Sequence, residues 1–282
     1  MTVLELACGH WRAGVIPEEG ANLTWLTYQG QDVLRSRAAA LAAGGGLPLY
    51  GEPILFPANR TRDGTFCFRG RMYCLPINEP TRRTHLHGLV MRRAFQVFQV
   101  DSQKIELRYE SISEDYPFPF ALTVRCGLTE QGLERHFLLE NRGNEDFPAV
   151  FGLHTTFVQP SFLQVPLEYA QLRDERFLPI GKDRPLSPEE KSWSQGALYQ
   201  GEPLSEVYTA AGRTAQIGRF VYQVSDLFHQ WMLYSGGKGF ICVEPLAGQI
   251  DGLNNPKGYL LVPQGGALEF HTTISQGANN NE

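Results

Sequence analysis

The sequence predicts an all-β protein, a sandwich of short antiparallel strands with one or two short helices. Two observations carry that prediction. Apolar residues recur with period two along the chain, as in half-buried strands. The β-rich runs are short and bounded by Gly, Pro or Asn, and 29 Gly and 18 Pro punctuate the 282 residues.

In chain order, RSRAAALAAGGG (35–46) reads as a short helix that stops at its glycines. ANRTRDGTF (58–66) carries a turn signal, Asp63-Gly64, with TFCFRGRMYCL following as the next strands. Arg60 and Arg62 alternate there. They are either solvated residues of a hairpin or an arginine fixed at its base to grip hydroxyls or an anion. KIELRYESI (104–112) alternates Ile105, Leu107 and Tyr109 with Glu106, Arg108 and Glu110, a half-buried strand. FALTVRCGL (120–128), ERHFLLEN (134–141) and GFICVEPL (239–246) are further strands. LSPEEKSW (186–193) starts a helix: Ser187 as N-cap, Pro188 in the first turn, Glu190 three residues on. It is expected inside a polar, loop-rich excursion over 168–210. SQGANNNE reads as a frayed tail, about 275–282. No linker divides the chain, so residues 1–282 read as one domain.

Composition narrows the function. Apolar residues at 42% and charged residues at 20% are those of a soluble globular protein. A net charge of −5 gives no reason to expect nucleic acid or an anionic membrane as partner. No apolar run approaches a membrane span, and the N-terminal stretch is no secretory signal. The five cysteines, Cys8, Cys67, Cys74, Cys126 and Cys242, form no CxxC and read as buried free thiols in a reducing cytosol. A cytoplasmic location is expected.

Four segments could carry chemistry. In HLHG (85–88), His85 and His87 would project to one face if the stretch is extended. They could be a metal site, an acid/base site or edge polar residues. Zinc would need a third ligand, which Glu244 or His154 could supply from a distance. Alternation in FICVEP puts Glu244 on the face of Phe240 and Cys242, with Ile241 and Val243 opposite. Desolvation there would raise its pKa and fit it for general-base work. His154 in FGLHTTF is either a hydrogen-bonded structural histidine or the partner of that carboxylate. ANRTRDG supplies Arg60 and Asn59. No GxSxG, Walker A or GxGxxG appears, so serine hydrolase and nucleotide chemistry have no motif.

Taken in order, these segments resemble the aldose 1-epimerase (galactose mutarotase-like) family. "VIPEEGANLTWLTYQGQDVL" is similar to its first hairpin region, "GEPILFPANRTRDGTFCFRGRMYCLPINE" to its substrate-arginine segment and "HLHG" to its first histidine motif. "GLHTTF" is similar to its second histidine segment and "CVEPLAGQIDGLN" to its catalytic-glutamate segment. The resemblance implies a large twisted antiparallel β-supersandwich and an isomerase that interconverts α and β anomers, with no cofactor and no metal. Glu244 then matches the general base on the anomeric hydroxyl and His154 the general acid on the ring oxygen. His87 matches the second active-site histidine. Arg60, with Asn59 beside it, matches the sugar-binding arginine, and His85 flanks the site. The partner is a small-molecule sugar, and the protein a monomer or homodimer.

The chain departs from the family pattern in two places. HTTF stands where relatives carry a proline and an aromatic after the histidine, and Ser205 where many carry a sugar-binding aspartate. Three alternatives follow. One is a hexose-6-phosphate 1-epimerase, with Arg82, Arg83, Arg92 and Arg93 as phosphate contacts or as a solvated edge. Another is a non-catalytic sugar-binding protein on the same fold. The third is a glycoside hydrolase pairing Glu244 with Asp251, although Asp251 is better placed to brace its loop.

Overall fold

A computed structural model describes residues 1–237 and 239–277. The architecture is all-β, as expected. A four-stranded N-terminal meander runs Leu4–Cys8, Trp11–Ile16, Asn22–Tyr28 and Gln31–Asp32. Two large antiparallel sheets follow. The nine-stranded sheet is centred on Phe120–Leu128, Gly132–Asn141 and Ala267–Gln276. The eight-stranded sheet orders Pro179–Pro185, Leu167–Arg173, Leu204–Ala210, Gln230–Ser235, Phe240–Ala247, Phe151–Leu153 and Ile54–Leu55, with Thr156–Val158 also paired to Phe240–Ala247.

Aromatic rings join the two sheets. Phe151 stacks on Phe270 with ring centroids 4.3 Å apart and meets Phe137 at 5.6 Å, while Phe157 meets Tyr222 at 5.5 Å. Phe157 lies opposite Ile241 and Trp231 opposite Pro245. The odd-numbered residues from Ile241 to Ala247 therefore face this core. Phe240, Cys242 and Glu244 take the other face, as the alternation predicts. That outer face is also covered, because every residue of Phe240–Ala247 is buried.

Both helices form. Arg37–Ala42 is capped by Ser36 and ends before the glycines. Pro188–Gln195 carries a full capping box: the Ser187 hydroxyl accepts from the Glu190 N–H, and the Glu190 carboxylate accepts from the Ser187 N–H. Ser187→Ala should cost about 1 kcal/mol of stability. An unchanged denaturant midpoint would mean the cap contributes nothing.

Four expectations are corrected. The region 168–210 is not loop-rich; it holds four strands and the second helix. Pro179–Pro185 escaped notice because it is an edge strand with most residues exposed, so it needs no apolar alternation. Asp63 and Gly64 do adopt the positive φ of a tight turn, but the strands beside it do not pair with each other. Arg60–Arg62 pairs with Thr84–Leu86, and Thr65–Phe68 with Arg71–Cys74 through the Arg69-Gly70 turn. All five cysteines are free, but only Cys126 and Cys242 are buried; Cys67 and Cys74 are exposed. Ser275 and Gln276, expected in the tail, belong to the last strand, and residues 278–282 of that expectation lie outside those described.

Candidate active site

Four segments meet above the outer face of the eight-stranded sheet. Glu244 rises from the strand Phe240–Ala247. His154 lies between the short strands Phe151–Leu153 and Thr156–Val158. Its neighbour Thr155 points the other way, into the core, where its hydroxyl bonds Glu52 and Tyr222. Backbone bonds from His154 N–H to the Pro53 carbonyl and from Val243 N–H to the Thr155 carbonyl hold the segment against the sheet. His154 Nε2 then sits 3.3 Å from Glu244 Oε1, with both side chains buried.

Burial sets the proton positions. It pushes the Glu244 carboxyl well above the usual carboxylate range, offset only in part by the Arg60 charge. It pushes His154 down to about 4. Each group is driven toward its uncharged form. His154 Nδ1 has no partner among the described residues.

His85 and His87 do not share a face. The strand ends at Leu86, and His87 takes φ 62°, which turns its side chain out of the strand's alternation. Gly88 follows at φ 68°, and a Cβ there would lie 1.8 Å from the Phe56 carbonyl oxygen, so only glycine fits. The His87 ring meets the His154 ring edge to face, centroids 5.5 Å apart. Burial, then the neighbouring His154 and Arg60, hold it well below the ordinary imidazole range. His87 is thus driven toward its uncharged form, and its Nδ1 has no partner among the described residues. His85 turns to the Pro76 carbonyl, 2.7 Å from Nδ1, so the HLHG pair does not converge as a metal site.

Arg60 is clamped by Glu79, with Nε and Nη2 donating at 2.8 and 2.9 Å. Burial works to raise Glu79, but bonds from Arg60 and Thr84 hold it below its ordinary value. The guanidinium lies 5.1 Å from the Phe177 ring centroid, and Arg82 and Arg173 approach the same ring at 4.5 and 5.2 Å. Asn59, at φ 57°, ties two segments together: its side-chain oxygen accepts from the Arg60 N–H and its carbonyl from the His87 N–H. Asp251 braces its loop, accepting from the Arg62 N–H, Arg62 Nε and Asn254 Nδ2. Both of its oxygens are engaged in the loop.

Of the four arginines considered as phosphate contacts, Arg82 pairs with Glu79, Arg83 with Asp63 and Arg93 with Asp115, while Arg92 is exposed. Ser205 lies opposite Tyr234, which lies opposite Cys242, so the serine belongs to the same cross-strand row as the site. Glu79, Phe177 and Cys242 were not assigned roles from sequence. The first two carry no local signal, and Cys242, placed on the face of Glu244 by alternation, reads from sequence only as a buried thiol. His154, Cys242 and Glu244 each offer a ligand atom within 4.8 Å of one another, a triad distinct from the HLHG pair. Burial pushes the Cys242 thiol up as well as Glu244, so a cation would first have to displace their protons.

The chain is similar to known proteins in fold and in sequence. A galactose mutarotase-like protein from Clostridium acetobutylicum superimposes with a TM-score of 0.86 at 20% identity, over 96% of this chain and 93% of its own. Galactose 1-epimerase from Lactobacillus acidophilus gives 0.76 at 16% identity, over 95% and 92%. At these identities the likeness is one of fold. The uncharacterized Escherichia coli K12 protein YihR is 28% identical over 186 residues, 62% of this chain but only 58% of its own length. The family model for aldose 1-epimerase matches residues 3–251. The chain belongs to the aldose 1-epimerase family.

Proposed function

We propose that this protein interconverts the α and β anomers of an aldose by acid/base opening and reclosure of its ring. The observation that carries the proposal is the buried contact between Glu244 and His154, 3.3 Å apart. Ring opening needs a proton to leave O1 while another reaches the ring oxygen. Both oxygens are bonded to C1, so two groups this close can each reach one of them. At rest the shared proton sits on the carboxyl. Moving it to His154 gives a carboxylate that can accept from O1 and an imidazolium that can donate to the ring oxygen. Electrons from the O1–H bond form the C1–O1 double bond, and the C1–ring oxygen bond breaks to take the imidazolium proton. Rotation about C1–C2 and reclosure on the other face give the second anomer and restore both groups.

His87, neutral and edge-on to His154, can hydrogen-bond the sugar without competing for that proton. Arg60, fixed by Glu79, can donate to sugar hydroxyls. The five free cysteines fit a reducing, cytoplasmic setting. Among the described residues no helix is long and apolar enough to cross a membrane.

The pH profile tests the shared proton. The competent pair holds one proton, and a second enters only as pH falls toward about 4, where His154 titrates. The catalysed rate should therefore be flat through neutrality and decline only near pH 4. An acid limb at the ordinary histidine value, about 6.5, would contradict the arrangement. The sign for stability is separate. The unfolded histidine binds a proton below about 6.5 while the folded one does not until about 4, so His154 costs stability as pH falls through that window. Glu244, raised in the fold, works in the opposite sense: its contribution is lost as pH rises through its folded value. A chelator should leave the rate unchanged, since no step uses an ion. Loss of activity that zinc restores would instead assign the His154–Cys242–Glu244 triad to a metal.

A further inference from the structure

Two arginines among the described residues are buried, and they are handled differently. Arg135 donates to the Glu52 carboxylate at 2.9 Å and to two backbone carbonyls. Arg35, 8% exposed, has no carboxylate within ion-pair distance among the described residues. Its Nη1 donates to the Leu49 carbonyl at 3.2 Å, and its guanidinium lies 4.2 Å from the Phe240 ring centroid. One carbonyl and one aromatic face leave most of its five donors unused. Its unbonded nitrogens keep a little solvent contact, since none is among the fully buried unpartnered atoms, but a charge so largely withdrawn from water without a counter-charge is costly, and that open side is where an anion can reach it.

Position says which partner. Phe240, Cys242 and Glu244 share one face of their strand, so Arg35 stacks on the face that carries the acid/base pair. Phe240 precedes Glu244 by four residues, about 13 Å along a strand. Cys242 lies between them, near enough for the Arg35 charge to work against burial on its thiol. Arg35 is fixed at both backbone ends: its N–H donates to the Thr156 carbonyl at 2.8 Å, and its carbonyl accepts from Gly51. Thr156 follows His154 by two residues, so the Arg35 backbone is held in register with the His154 segment. The cross-strand row through Cys242, namely Thr156, Cys242, Tyr234 and Ser205, contains no carboxylate to repel an anion. On the other side of the site, Arg60 and Arg82 are paired with Glu79, and Arg173 with Glu206. Of these four arginines, Arg35 is the one with no carboxylate partner among the described residues.

We propose that Arg35 holds an anionic group of the substrate, so that the aldose taken by this site carries a phosphate, sulfonate or carboxylate on the end away from C1. The proposal rests on the ring-opening reading for the orientation of C1 toward Glu244. A guanidinium fork matches any of these three groups in planar, two-point contact.

The test is anomer exchange followed by NMR, above the spontaneous rate, for glucose, glucose 6-phosphate, glucuronate and 6-deoxy-6-sulfoglucose. At least one anionic sugar should exceed glucose about a hundredfold in kcat/KM, the range of a charge-assisted hydrogen-bond pair. The identity of that sugar separates phosphate, sulfonate and carboxylate. In Arg35→Gln the ratio of anionic to neutral kcat/KM should fall about a hundredfold, and Arg35→Lys should recover part of it. Equal or better turnover of glucose by the wild type overturns the proposal, even if Arg35→Gln fails to fold. So does an Arg35→Gln ratio that does not move. Binding of an anionic sugar, lost in Arg35→Gln, with no anomerisation of any sugar would support the anion site and overturn the ring-opening reading instead.

Discussion

Glu244→Gln should abolish catalysed anomerisation while leaving sugar binding largely intact. The amide keeps the shape of the carboxyl and can still hydrogen-bond O1, but it can neither accept the O1 proton nor supply the shared proton to His154. Loss of a positioned acid/base group costs about a hundred- to ten-thousandfold in rate. The buried 3.3 Å contact gives no room for water to substitute for the carboxylate. His154→Asn should lose a similar factor, because ring-oxygen protonation fails. Arg60→Ala should differ in kind. It removes a charge-assisted contact to substrate and leaves Glu79 unpaired, so KM should rise while kcat changes less. Anomer exchange rates alongside sugar affinity for each variant separate these outcomes. Near-normal turnover in Glu244→Gln would favour a protein that binds sugar without acting on it.

The largest stability effect is expected beneath the site, at Glu52. Its carboxylate accepts from Arg135 at 2.9 Å, Thr155 at 3.0 Å and Tyr222 at 3.1 Å, and both members of the ion pair are wholly buried. Glu52→Ala leaves the Arg135 charge in the core with backbone carbonyls as its remaining acceptors. Breaking a buried pair from one side costs about 3–5 kcal/mol, or a fall in Tm of about 10 °C for a chain of this size. Thr155 and the Pro53 carbonyl connect Glu52 to the His154 segment, so activity should fall before the protein unfolds. Thermal unfolding of Glu52→Ala checks this. A loss below about 1 kcal/mol, the range of a net neutral hydrogen bond, would mean that the network rearranges around the missing carboxylate.

Much of the fold was legible because its signals are local. The Ser187–Glu190 capping box, the Ser36 helix ending at its glycines and the alternation in Lys104–Glu110 all rest on residues within a few positions of one another. The facing of Glu244 followed from the same rule, since a regular strand alternates whatever it packs against. What failed had non-local causes. The Asp63-Gly64 turn formed, but its flanking strands found other partners, and pairing is decided by the whole sheet. His85 and His87 parted because His87 adopts a left-handed conformation, and the glycine after it was the only hint. The Glu79 clamp on Arg60, the rings of Phe177 and Phe240 under three arginines and one, and the lack of a carboxylate at Arg35 are products of tertiary packing. None leaves a pattern in the chain.

The central claim is that Glu244 and His154 act as one unit through a single shared proton. The most direct measurement is the anomer exchange rate of the Glu244→Gln/His154→Asn double variant, compared with each single variant on the same sugar. If the two groups move one proton between them, removing either disables both, and the double variant should be little slower than the worse single one. Losses that multiply, each substitution cutting the rate by its own full factor in the presence of the other, would mean that the two residues act independently, and would contradict the account.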